Sequence, residues 1–227
     1  MPRATRCERR KREAVSDERD GAPRLYLDFE GNKAGRLFLG CYRLAGETVQ
    51  VVLDAELAAA AEAKGLQTMS PEVFFAQILQ LAKAENAVIA AWSNHEKNLL
   101  ERFGSLERSG YENLLKRAKS WVNRHGLRQA YLPQARPRKG NPFVRDYWGL
   151  SRFTAWALNE KPPHGYAKGK TTSRLTDVIN GLKRAGSFEG LTPTQKRKWG
   201  DLLMHNRWDT EVLERLPTQL DRRVQPA

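Results

Sequence analysis

Cysteine is nearly absent: Cys7 and Cys41 are the only two in 227 residues, and their spacing fits neither a disulfide framework nor a zinc site. A disulfide-held extracellular scaffold is excluded, and a reducing, cytoplasmic setting is expected. Long apolar runs are missing as well. No stretch approaches the ~18 consecutive apolar residues of a membrane span. The opening "MPRATRCERRKREAVSDERDGAPR" carries positive charge without the apolar segment of a secretory signal. A soluble protein with no membrane partner is expected. Acidic residues are the minority charge, 26 Asp and Glu against 39 Lys and Arg, which leaves a formal net charge of +13 and a sequence pI ≈ 10.0. Such an excess points to a polyanionic partner, most simply nucleic acid.

Residues 1–23 mix charges and hold almost no large apolar side chains, so they are expected to form a disordered basic arm. That arm is either a solvated tail or a segment that touches a nucleic-acid backbone. Residues 24–220 have the length and patterning of one domain. "RLYLDFEG" (24–31), "RLFLGCYRL" (36–44) and "TVQVVLD" (48–54) are rich in strand formers and separated by turn residues, which predicts three antiparallel strands. "AELAAAAEAKG" and "SPEVFFAQILQLAKAEN" read as helices, the second with Ser70 as N-cap, Pro71 in its first turn and apolar Val73, Phe74, Ile78 and Leu81. The apolar run "AVIAAW" (87–92) predicts a buried parallel strand, and helices are expected at 94–103 and 110–125. Residues 127–174 hold five of the eleven prolines and read as loop, with one helix possible at "LSRFTAWAL"; helices then follow at 173–185 and from Thr192 and Pro193 onward. The pattern is α/β, a sheet with helices packed on it.

Three groups of polar residues are out of place in this pattern. Strand alternation puts Asp28 and Glu30 side by side on one face, opposite Leu25, Leu27 and Phe29. Two like charges so close need either water or a cation. On the final helix, Leu202, His205, Asp209, Val212 and Leu216 recur at steps of three or four and share one stripe. His205 and Asp209 then either pair with each other or work together on a metal, a water or a substrate. Glu96 starts a helix just past the end of "AVIAAW", where ligands of α/β sheets gather; Ser93 to Glu96 also spell the S-x-x-E of a capping box. Convergence of these acids on two divalent cations, Mg²⁺ or Mn²⁺, would suit phosphodiester cleavage.

These residues resemble the motifs of the DEDD exonucleases of the ribonuclease H-like superfamily, in the form found in the predicted nucleases linked to RecB-type proteins. "LYLDFEG" is similar to the first-strand D-x-E, "SNHEKNLLERF" offers Glu96 for the second acidic motif, and "HNRWD" offers His205 and Asp209 at the spacing of a late-helix Y-x-x-x-D. Histidine stands where that subgroup has tyrosine, and glutamate where most members have aspartate. The resemblance covers about Arg24 to Leu216. It implies a ribonuclease H-like mixed sheet, three antiparallel strands and then parallel ones, and a two-metal 3′ to 5′ exonuclease acting on DNA or RNA. It further implies that Asp28 bridges two ions, Glu30 and Asp209 bind the nucleophile-side ion, Glu96 holds the other, and His205 orients or deprotonates the attacking water. Arg136, Arg138, Lys139, Lys168, Lys170 and Arg174, with Tyr147, Trp148 and Tyr166 among them, have a composition suited to phosphate contact and base stacking on a single strand. The alternatives are a nucleic-acid-binding module on the same fold with weakened chemistry, and a nuclease that cuts internally.

Overall fold

The computed structural model describes residues 22–32, 34–104, 106, 110–135, 148–166 and 170–222. The expected basic arm therefore lies almost wholly outside the described residues. β1 (Arg24–Gly31), β2 (Leu37–Leu44) and β3 (Glu47–Val52) form the predicted antiparallel meander. Its second hairpin turns on Ala45 and Gly46, both at positive φ (48° and 86°), the backbone that a two-residue hairpin matched to strand twist requires. A 3₁₀ turn (Ala55–Leu57) and α1 (Ala58–Glu62) lead to the short β4 (Gln67–Thr68), parallel to β3. α2 (Pro71–Ala84) starts at the expected Ser70 cap and crosses to β5 (Val88–Ala91), which is parallel to β1 as expected.

α3 (Asn94–Phe103) is followed by β6 (Tyr111–Asn113), parallel to β5, and by α4 (Leu114–Arg124). The expected helix from 110 thus loses its first turn to a strand. α5 (Arg128–Ala135) was expected to be loop, whereas α6 (Leu150–Ala157), α7 (Thr171–Ala185) and the thirty-residue α8 (Pro193–Arg222) match expectation. At the start of α8, Thr192 N donates to Gln195 Oε1 (3.1 Å) and Gln195 N donates to Thr192 Oγ1 (3.3 Å), a reciprocal cap of two otherwise unsatisfied amides.

The six strands lie in the order β4-β3-β2-β1-β5-β6, a mixed sheet with helices on both faces. Alternation along β1 decides what each face buries. Leu25, Leu27 and Phe29 pack with Phe74, Phe75 and Ile78 of α2 and Leu99 and Leu100 of α3. Tyr26 points the other way, into a cluster with Leu114, Trp121, Phe153, Trp208, Val212 and Leu216. A third cluster on that face joins Leu39 and Val52 to Leu175, Val178, Trp199 and Leu202. α8 runs over β1, β2 and β3 and contributes to both clusters, one at each of its ends. Between them its middle crosses the acidic half of β1. No helix among the described residues is long and apolar enough to cross a membrane.

Candidate metal centre

β1 pairs with β5 only as far as Tyr26 opposite Ala90, while its pairing with β2 continues to Gly31. Asp28 and Glu30 therefore overhang the end of β5, at the crevice where α3 begins. Above them lies α8. The predicted stripe holds: Leu202, His205, Asp209, Val212 and Leu216 are all buried. His205 Nε2 sits 3.3 Å from Asp209 Oδ2 and 3.7 Å from Glu30 Oε1. One ligand atom from each of Glu30, His205 and Asp209 falls within 4.8 Å of the others.

Asp28 is the hub of the charges. Burial raises its pKa most, and the charges of Asp209 and Glu96 raise it further. Asn206, fully buried one residue along from His205, donates Nδ2 to Asp28 Oδ2 at 2.7 Å and offsets part of that cost. Glu30 is pushed up to about 8 by burial and then by Asp28 and Asp209, against His205 and a hydrogen bond from Thr171 at the start of α7. Glu96 is buried and its pKa raised by burial, and it forms the capping box that the sequence allowed. Its Oε2 accepts from Ser93 N (3.2 Å) and Ser93 Oγ (2.8 Å). Capping and proximity to Asp28 coexist in one side chain. His205 moves the other way: burial lowers its pKa, and the neighbouring Arg174 charge lowers it further, against Glu30.

Four carboxylates enclosed together are costly unless a cation joins them. The donor set fits a divalent ion: hard oxygens from four acids and the Nε2 of one imidazole, with the buried Asn206 Oδ1 alongside lacking a hydrogen-bond partner. Glu30, His205 and Asp209 would hold one ion, with Asp28 and Glu96 alongside for another.

Tyr166 has a role that sequence reading missed. It was expected on a stacking surface for substrate, but its hydroxyl donates to Asp209 Oδ1 (3.1 Å), its ring lies 3.8 Å from the His205 ring, and Trp208 meets its edge. No periodic signal marks a loop tyrosine, and only the fold brings it here. Asn206 and Thr171 were missed for a similar reason, since neither lies on an apolar stripe. Arg174 Nη1 donates to the Gly165 carbonyl (2.7 Å) and Nη2 pairs with Asp201 (3.4 Å), which ties the Tyr166 segment to α7. Trp148 packs against Tyr131 and Phe153, and its carbonyl accepts from Trp92 Nε1; Lys170 is exposed at the start of α7. Arg136, Arg138, Lys139, Tyr147 and Lys168 lie outside the described residues. Beside the edge strand β6, a cavity of ≈ 420 Å³ between α3 and α4 is lined by Asn94, Lys97, Asn98, Glu112, Lys116 and Arg117 among others, and Arg117 pairs there with Glu112 (3.0 Å). Comparison with protein-family models, curated proteins and solved structures finds no match to this chain.

Proposed function

We propose that this protein is a divalent-metal-dependent nuclease that hydrolyses phosphodiester bonds of DNA or RNA from the 3′ end, on a ribonuclease H-like sheet. The observation that carries the reading is the convergence of Glu30, His205 and Asp209 within 4.8 Å, beside Asp28 and at the overhanging end of the central strand. Bound there, two divalent ions would supply a nucleophilic hydroxide and stabilise the leaving oxygen. The chain's own part is to hold those charges still. Asn206 fixes one Asp28 oxygen, Ser93 fixes one Glu96 oxygen, and the Tyr166 hydroxyl fixes one Asp209 oxygen, so each carboxylate has a defined side facing the crevice. Asp28 and Glu30 are both protonated more readily than free acids, so the ions must displace protons as they enter. The net charge of +13 suits a phosphate backbone as the partner.

The binding-module reading has one observation in its favour: the capping box occupies an oxygen of Glu96. A single assay separates the two. Labelled single-stranded DNA and RNA are incubated with Mn²⁺, Mg²⁺ or chelator. Stepwise shortening from the 3′ end that chelator stops and Asp28→Asn abolishes is the expected result. Substrate that is bound but left intact with every ion would replace the nuclease by the binding module.

A further inference from the structure

We propose that His205 is itself a metal ligand, so that Glu30, His205 and Asp209 form a mixed nitrogen and oxygen site that prefers a first-row transition-metal ion to Mg²⁺. This rests on the metal-centre reading above and adds which ion the centre takes.

Geometry comes first. Ligand atoms about 2.1 Å from a shared octahedral ion lie roughly 3 Å apart in adjacent positions. Nε2 lies 3.3 Å from Asp209 Oδ2 and 3.7 Å from Glu30 Oε1, close to that spacing on both sides. A charge-assisted hydrogen bond would instead be about 2.7–2.9 Å long. The imidazole stands between two carboxylate oxygens and is drawn fully to neither.

Access leads to the same assignment. The His205 side chain is buried, its face is covered by the Tyr166 ring at 3.8 Å, and Nδ1 is enclosed without a partner. Nε2 is the atom that meets the acids, and a general base would have to reach a water past those oxygens. Mg²⁺ is hard and demands oxygen ligands, whereas imidazole nitrogen binds first-row ions more readily. A nitrogen in the innermost triad therefore tilts the site away from Mg²⁺.

The test reads binding, not cleavage. The full chain and His205→Gln are titrated calorimetrically with Mn²⁺ and with Mg²⁺, and the Mn²⁺-loaded proteins are examined by pulsed electron paramagnetic resonance. We expect tighter binding of Mn²⁺ than of Mg²⁺ by the wild type, and an imidazole-nitrogen coupling to the ion that His205→Gln removes. That variant should weaken Mn²⁺ binding by at least the roughly 10- to 100-fold known for losing outer-shell partners, and Mg²⁺ binding much less. Mn²⁺ bound to wild type without nitrogen coupling, or equal discrimination by His205→Gln, would overturn this assignment and leave the nuclease reading standing. Failure of the wild type to bind either ion would overturn both.

Discussion

At the residue scale, the centre exchanges stability for charge. Asp28 feels both Asp209 and Glu96, and each raises the cost of its ionised form. Asp28→Asn should therefore stabilise the metal-free protein, while it shrinks the gain that Mn²⁺ brings. Thermal melts in chelator and in Mn²⁺ measure both; a variant less stable than wild type in chelator would contradict the charge picture. Glu30 sets the pH dependence. Its carboxyl is raised from 4.5 to about 8, so between those values the native state keeps a proton that the unfolded chain has released. Stability from this group is complete below 4.5 and is lost as pH rises through about 8. Metal entry requires that proton to leave, so the Mn²⁺-induced rise in stability should be larger at pH 8 than at pH 6. Urea unfolding across pH, with and without Mn²⁺, checks the sign.

At the scale of elements, what could be read in the sequence was what repeats. The alternation of β1 and the three-and-four stripe of α8 run over enough residues to place Asp28, Glu30, His205 and Asp209 on facing surfaces. β6 is three residues long, too short for an alternation to register, and α5 carries Pro133, which reads as a breaker although the helix continues through it. Tyr166 and Asn206 belong to no period and needed the tertiary fold. Gly40 is a further example. It lies in β2 opposite Phe29, and a Cβ there would stand 2.6 Å from the Phe74 ring of α2, because that ring lies directly on the strand. Phe74 is buried and has little room to move. Gly40→Ala should cost about 1–3 kcal/mol, the usual range for overpacking. Chemical denaturation provides the number, and a neutral result would mean that α2 can shift off the sheet.

At the scale of the whole molecule, the antiparallel meander, the buried parallel strand and helices packed on the sheet followed from pattern, while helix cover on both faces, the order of strands and the overhang of β1 beyond β5 came only from the fold. Charge acts at this scale too. With a net +13, binding to single-stranded oligonucleotides should weaken steeply as salt rises, with a slope near −0.7 per phosphate contacted. Fluorescence anisotropy across salt concentrations measures it, and a flat line would assign the basic surface to some other use. α8 has a longer reach than its residues at the centre suggest. It spans about 45 Å at 1.5 Å per residue, and its two ends are set in separate apolar clusters on either side of His205 and Asp209. With both flanks anchored, the middle amides of this helix should exchange with solvent deuterium through an opening that also frees the packed turns on either side. An ion present at a hundred times its dissociation constant raises that opening by about 2.7 kcal/mol. Amides in the packed turns of α8 on both sides of His205 and Asp209, away from any ligand atom, should then slow together by roughly a hundredfold, a shared protection that reports on occupancy of the centre.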